Sequence, residues 1–310
     1  MTEERDLIII GGGPAGVAAG IYAARKYLNS TLIAAEWGGQ SSVSEGIENW
    51  VGTPRIGGAD LAKSLMDHLK ASAGDKLAIA EDTATALAKI DGGFKVSTKS
   101  GKEFSAKAVI IASGASRRPL EVPGAKELEN KGLTYCASCD GPLFAGADVA
   151  VVGGGNAGFE TALQLVAYCK SVTLLSRSAP RADEMSVAKA VAHANFKLLQ
   201  GVEPTEVVAG ANGFASALKY KDAAGAIAEL PVTGIFVEIG VIPNTDYAKS
   251  LLTLDEYNRI KVDPKSQRTS VEGIWAAGDC TDELYHQNNI AAGDGVKALE
   301  DAYLWLKKSA

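Results

Sequence analysis

Leu7-Ile8-Ile9-Ile10-Gly11-Gly12-Gly13-Pro14-Ala15-Gly16 is the stretch that decides the fold, and Val151-Val152-Gly153-Gly154-Gly155-Asn156-Ala157-Gly158 says the same thing about 140 residues later. A short apolar run is the signature of a strand buried on both faces of a parallel sheet. Behind the first run, Pro14 to Tyr27 has helical composition, with small residues at Ala15, Gly16 and Ala19 where a helix must approach a strand. Thr31 to Ala35 reads as the next strand, which completes a right-handed βαβ unit. The second copy runs the same way through a strand at Asp148–Val152, a helix at Asn156–Tyr168 and a strand at Val172–Leu175. The chain is thus expected to be α/β, with two Rossmann-like three-layer domains.

The remaining segments place one domain inside the other. Ala59–Ala73 is an expected helix, and Thr83–Phe104 an antiparallel meander turning at Asp91-Gly92-Gly93 and Ser100-Gly101. Ala108–Ala112 returns as a buried strand ending at Ser113-Gly114. In the second half, Ala215–Tyr220 and Ile227–Leu230 form another meander and Ile235–Ile239 a closing strand. Beyond Pro243 come only a strand at Gly273–Ala276 and a helix at Asn288–Leu306. That stretch is too short to be a domain, so it completes the first one. The expected division is 1–116 with 245–310, and 117–244 as the insertion. Hinges fall at Ser116–Pro119 and Ile242–Thr245.

Bulk properties narrow the function. The 310 residues carry a formal net charge of -6 and no basic run longer than Arg117-Arg118 or Arg25-Lys26, which argues against a nucleic-acid surface. Leu7 to Ala24 is apolar, but the glycines and Pro14 break it where a membrane helix must be continuous. Met1 to Arg5 leads straight into a strand and leaves no room for a signal peptide. The expectation is a soluble cytoplasmic protein that binds neither membrane nor nucleic acid.

The glycine motifs carry chemistry because of their context. Each follows a strand and opens a helix, whose N-terminal N–H groups and positive dipole end suit a pyrophosphate. In the first, Gly11 permits the turn, Gly13 lets the phosphates approach, Gly16 permits helix–strand contact, and Glu36 can accept ribose hydroxyls. In the second, Gly153, Gly155 and Gly158 repeat those roles beside Asn156 and Ala157. Ser176-Arg177-Ser178 and Arg181 then stand where an acid would greet a 2′-hydroxyl, which favours NADPH over NADH. Solvated surface arginines are the alternative. Fourteen residues before the second motif lie Cys136 and Cys139. A zinc site would want a second such pair or paired histidines, and only His68, His193 and His286 exist. Two structural thiols are a further possibility. A redox pair is favoured, because one thiolate can attack while its neighbour resolves. Asp140 offers a proton donor and acceptor, or a turn former before Gly141-Pro142. In Gly278-Asp279-Cys280 the carboxylate at a strand end can bond a ribityl hydroxyl of a flavin. Cys169 and Cys280 are read as buried and inert, and Trp50, Trp275 and Trp305 as packing residues.

These strings together resemble the low-molecular-weight thioredoxin reductases and the related flavoprotein subunit of alkyl hydroperoxide reductase. The likeness runs through Gly11–Gly16, Gly38-Gly39-Gln40, Ile47-Glu48-Asn49-Trp50, Ile111–Ala115, Cys136–Gly141, Gly153–Gly158, Gly278–Cys280, and Tyr285-His286-Gln287 with Ile290–Gly293. It implies FAD held by the discontinuous domain, with Gly11, Gly13, Pro14, Ala15, Gly16, Glu36, Gly39, Gln40, Asn49, Ser113, Gly114, Gly278, Asp279, Gln287, Asn288 and Ile290 as contacts. It implies a nicotinamide nucleotide on the insert, a homodimer, and domains that rotate. Cys139 would face the flavin, Cys136 would attack the disulfide of a thioredoxin-like protein, and Asp140 would be acid and base. The family's NADPH enzymes carry His-Arg-Arg where Ser176-Arg177-Ser178 stands, so one arginine matches. Peroxidase-linked relatives place a glutamate there, which this chain lacks, and no N-terminal extension with its own C-x-x-C is expected, which tells against the peroxidase-reductase reading. Three alternatives stay open: NADH or a ferredoxin or deazaflavin donor, an NADH oxidase or peroxiredoxin reductase, and a flavin redox sensor that does not turn over.

Overall fold

The computed structural model describes residues 5–44 and 46–308. Those residues form two compact units, one of 5–43, 50–116 and 242–308, the other of 44, 46–49 and 117–241. Each is an α/β layered unit of Rossmann type, and the second is inserted into the first.

The first unit opens with β1 (Arg5–Ile10), α1 (Pro14–Arg25), β2 (Ser30–Ile33), α2 (Gly58–Ala73) and β3 (Leu77–Ala80). β4 (Ala84–Ile90), β5 (Gly93–Thr98) and β6 (Glu103–Ile111) follow. The sheet order is β3-β2-β1-β6-β5-β4. β6 differs from expectation. No turn separates Phe104 from Ala108, so the end of the meander and the following buried strand are one nine-residue strand. Its first half pairs antiparallel with β5, from Ser97↔Glu103 to Phe94↔Ala106. Its second half pairs parallel with β1, from Leu7↔Ala108 to Ile10↔Ile111. Along β1, Leu7 and Ile9 enter one core with Val17, Leu32, Ile110 and Trp275. Ile8 and Ile10 enter the other with Ile33, Val109 and Ile111. Burial on both faces is why the run contains no polar residue.

Helix α1 is two residues shorter than its composition allows. Tyr27 sits at φ 56°, and its N–H donates to Ala24 O at 3.0 Å while that of Leu28 donates to Ala23 O at 3.1 Å. This is a Schellman ending with tyrosine in the left-handed position that glycine usually takes.

The second unit begins beyond β7 (Ala115–Arg117), with β8 (Leu133–Thr134), α3 (Ala137–Asp140), β9 (Asp148–Val152), α4 (Asn156–Leu165) and β10 (Ser171–Ser176). It continues with α5 (Glu184–Val191), β11 (Phe196–Gln200), β12 (Glu203–Ala209), β13 (Ala215–Lys221), β14 (Ile227–Pro231) and β15 (Gly234–Val237). Its parallel sheet has the order β11-β10-β9-β15-β8, and β12-β13-β14 make a separate antiparallel sheet. The chain leaves β9 through α4 for β10, whereas β15 lies on β9's other side. That reversal is a topological switch point, where open α/β sheets bind ligands beyond the carboxyl ends of their strands.

The chain then returns through β16 (Val241–Pro243) to β17 (Ile274–Ala276) and α6 (Asn288–Lys308). β17 adds to the first sheet beside β6, with Ile274↔Val109 and Ala276↔Ile111. Trp275 is fully buried, and its indole N–H donates to Asp301 at 2.8 Å. Its ring meets Trp305 edge-on at 5.8 Å, so both are packing residues. No helix of the described residues is long and apolar enough to cross a membrane.

Candidate active site

In the first unit the turn between β1 and α1 is built around three close approaches, one of them at Gly12, where a Cβ would stand 2.2 Å from Glu36 O. Gly11 lies at φ +124°, and a Cβ there would stand 2.1 Å from Ala112 O. A Cβ on Gly16 would stand 2.0 Å from Gly11 O. At Gly13 nothing would come nearer than 3.8 Å, and the nearest atoms belong to Gly39. The helix that follows, carrying Pro14 and Ala15, has no side-chain cap and no acid in its first turn. An open, uncapped helix start of this kind fits a pyrophosphate.

Other expected contacts of the same unit gather at neighbouring strand and helix ends. Gly278, at φ +73°, would touch Ala291 and Ala15 through a Cβ at 3.2 and 3.3 Å, so the end of β17 meets the starts of α1 and α6; Asp279 follows it. Asn288 Nδ2 donates to Ser41 Oγ at 2.9 Å, tying the start of α6 to the 3-10 turn Gly39–Val43 that holds Gln40. Ser113 Oγ donates to Asn244 O at 2.7 Å, and the Asn244 amide returns a bond to Ser113 O at 2.9 Å. Asn244 N–H donates to Gly114 O at 3.0 Å. Glu36, Gln287 and Ile290 are exposed. Asn49 is exposed too and lies in the segment grouped with the second unit. Beside Gln287, His286 Nε2 is buried without a partner, a polar atom that a bound ligand would satisfy.

The second unit repeats the glycine geometry. Gly153 lies at φ +137° with a Cβ position 2.2 Å from Glu238 O, and a Cβ on Gly158 would stand 2.0 Å from Gly153 O. Gly155 has nothing within 4 Å, and α4 starts without a side-chain cap or first-turn acid. Arg181 N–H donates to Gly154 O at 2.8 Å, which holds the loop after β10 against the glycine turn. Asn156 Oδ1 accepts the N–H of Asp183 at 2.9 Å. Ser176 is turned inward: it is buried and its hydroxyl donates to Ser178 O at 2.8 Å. Arg177 is exposed and lines a cleft of about 260 Å³ with Glu203, Lys221 and Asp222.

Sequence reasoning passed over Glu238, the residue just after β15 at the switch point. Its side chain is 10% exposed, with Arg117 3.9 Å away. Thr161 of α4 donates to it at 2.9 Å. Burial nevertheless dominates and pushes its carboxyl up to about 7.

Cys136 and Cys139 form a disulfide, Cα atoms 5.3 Å apart, around the short helix α3. Asp140 closes that helix, and its N–H donates to Cys136 O at 3.0 Å. Its carboxylate accepts the hydroxyls of Thr134 and, at 2.9 Å, of Ser44 in the same unit. The structure thus brings Cys136, Cys139 and Asp140 into one turn. Thr134 and Ser44 had no spacing signal that would reveal them. Cys169 and Cys280 are free and buried, and burial pushes both thiols up to about 11.

Residues 5–295 match the family model described as pyridine nucleotide-disulphide oxidoreductase. The chain is 38% identical over 307 residues to the F subunit of alkyl hydroperoxide reductase from Escherichia coli K12, covering 98% of this chain and 58% of that protein. It is 36% identical over 306 residues to an NADH dehydrogenase of Bacillus subtilis, covering 98% and 59%. The chain therefore spans somewhat under three fifths of the length of these relatives. Among solved structures, thioredoxin reductase from Streptococcus pyogenes superposes with a TM-score of 0.90 at 31% identity, covering 99% of this chain and all of that one. Thioredoxin reductase from Giardia duodenalis gives 0.90 at 31%, covering 98% and 99%.

Proposed function

This chain belongs to the pyridine nucleotide-disulphide oxidoreductase family, and from that footing we propose that it is a disulfide reductase. A nicotinamide nucleotide on the second unit and FAD on the first, when bound, would supply the two electrons that reduce Cys136–Cys139, and the dithiol passes them to the disulfide of a small thioredoxin-like protein. The observation that carries this reading is the Cys136–Cys139 disulfide with the Asp140 carboxyl in the same turn, in a chain with two open glycine turns.

FAD, when bound, supplies the two-electron carrier between nicotinamide and disulfide. Gly11, Gly13, Ala15 and Gly16 would hold its pyrophosphate, and Asp279 its ribityl chain. The remaining chemistry belongs to the turn. Asp140 takes the proton of the Cys136 thiol, and the thiolate attacks one sulfur of the substrate disulfide. A mixed disulfide forms, and the departing thiolate takes its proton from Asp140. Asp140 then accepts the proton of Cys139, whose thiolate attacks Cys136 Sγ. The second substrate thiol leaves with that proton, and the Cys136–Cys139 bond is restored. Two electrons and two protons have moved.

A second acceptor is favoured by one observation. Identity to the alkyl hydroperoxide reductase F subunit, at 38%, exceeds the 31% to the two thioredoxin reductases. On that reading the disulfide served belongs to a peroxide-reducing partner. The donor is open in the same way. Arg177 and Lys221 suit a 2′-phosphate, whereas Glu203 and Asp222 in the same cleft suit a 2′-hydroxyl.

An anaerobic titration of the yellow protein with NADPH and with NADH, followed by flavin absorbance, decides the donor. Bleaching by neither overturns the nicotinamide step. Cys139→Ser should retain flavin and lose all turnover with thioredoxin or peroxiredoxin disulfides. Retained turnover overturns the dithiol step.

A further inference from the structure

Thr134 is the last residue of β8, an edge strand that pairs with β15 through Ile235↔Leu133 and Phe236↔Thr134. It is only 5% exposed, so its hydroxyl must find partners inside the protein. The partners it finds are the two ends of the redox turn. Thr134 Oγ1 accepts the N–H of Cys136 at 3.4 Å and donates to Asp140 Oδ2.

A threonine hydroxyl has one proton and two lone pairs. Here the proton is committed to the carboxylate and a lone pair to the amide of the attacking cysteine. One group therefore fixes the acid–base carboxyl relative to the sulfur whose proton it moves. The other carboxylate oxygen accepts from Ser44, which among the described residues bonds to neither cysteine amide.

We propose that Thr134 is a positioning residue for disulfide exchange at Cys136–Cys139, aligning the Asp140 carboxyl for the proton transfers of each exchange. The proposal rests on the reading of Asp140 as acid and base. It adds a residue that has no sulfur chemistry of its own. Without the hydroxyl, Asp140 loses the bond that ties its carboxylate to the same group as the Cys136 amide. Misplacement of a reacting group by a fraction of an ångström to an ångström slows a step by about tenfold to a hundredfold.

The choice of acceptor separates alignment from mere damage. An aliphatic disulfide such as bis(2-hydroxyethyl) disulfide releases a basic thiolate that needs a proton. The aromatic thiolate released by 5,5′-dithiobis(2-nitrobenzoate) leaves without one. The full-length protein is reduced chemically, freed of reductant, and mixed rapidly with each disulfide. The set is parent, Thr134→Val, Thr134→Ala, Thr134→Ser, Asp140→Asn and the Thr134→Val/Asp140→Asn pair. The ratio of aliphatic to aromatic rate should fall about tenfold in Thr134→Val and Thr134→Ala and return in Thr134→Ser. In the Asp140→Asn background, losing the Thr134 hydroxyl should change the ratio less than twofold.

An unchanged ratio in both hydroxyl-free variants overturns the proposal, as does failure of serine to restore it. So does an equal loss towards both acceptors. If Asp140→Asn itself leaves the parent ratio unchanged, the acid–base reading falls and takes this proposal with it. A parent dithiol inert to both reagents refutes the disulfide-reductase reading itself.

Discussion

Replacing Glu238 by glutamine should stabilise the protein, and by an amount that grows with pH. Burial raises this carboxyl from 4.5 to about 7 in the folded chain. Below pH 4.5 the group is neutral in both states and contributes nothing that a glutamine would not. Between 4.5 and 7 the unfolded chain ionises it while the fold keeps it neutral, so stability falls as pH rises. Above 7 the loss is complete. A gap of about 2.5 pH units corresponds to about 3 kcal/mol. Local relaxation and water entry make that a ceiling, and about 1–3 kcal/mol is expected. Glutamine keeps the shape and still accepts the Thr161 hydroxyl, but it cannot ionise. Scanning calorimetry of Glu238→Gln and parent at pH 5, 6, 7 and 8, at equal flavin loading, measures the effect. The midpoint difference should be smallest at pH 5, about a quarter of its full value, and reach several degrees in favour of glutamine at pH 8, at about 3 °C per kcal/mol. A difference that is constant with pH, or one that widens towards acid, would refute the assignment of Glu238 as a buried, desolvated acid.

Cys169 and Cys280, with thiols near 11, hold only about one part in ten thousand as thiolate at pH 7. Native oxidised protein should therefore show no fast-reacting thiol, reduced protein two, and denatured reduced protein four; a fast thiol before reduction would contradict this. Gly158→Ala puts a methyl 2.0 Å from Gly153 O, against backbone that cannot step aside. It should weaken nicotinamide-nucleotide affinity at least tenfold and lower stability by about 2 kcal/mol, read by isothermal calorimetry and thermal unfolding. Arg177→Ala should raise the KM for NADPH about tenfold or more and leave that for NADH within twofold if Arg177 serves a 2′-phosphate; equal effects on both would remove it from that role.

Both glycine turns could be read in the sequence because steric necessity acts locally there. Gly16 and Gly158 each face the carbonyl of their own turn's first glycine, and Gly11 and Gly153 take a positive φ, although the carbonyls that crowd those two, Ala112 O and Glu238 O, come from distant segments. The single strand β6 could not be read, because its two halves differ only in their partners, and partners are a tertiary property. Helix α5 was missed because Ala190 is its only fully buried residue, which leaves almost no apolar periodicity. The dithiol announced itself by spacing. Thr134 and Glu238 did not, since a threonine or a glutamate beside an apolar run carries no mark of where its oxygen will point.

The split pairing of β6 also sets a schedule for synthesis. As the chain emerges, residues 117–241 hold every strand of the second unit's sheets, so that unit can close while the first is still short of material. The first must wait for Ile274–Ala276 to bond along Val109–Ile111 and for α6 to cover α1, where a Cβ on Gly295 would stand 2.1 Å from Ala15 O. Until then the edge of β6 and the apolar flank of α1 stay bare, as aggregation-prone surface. A ribosome stalled before residue 274 would hold one finished unit and one sticky one, and nascent-chain proteolysis should find the inserted unit resistant first.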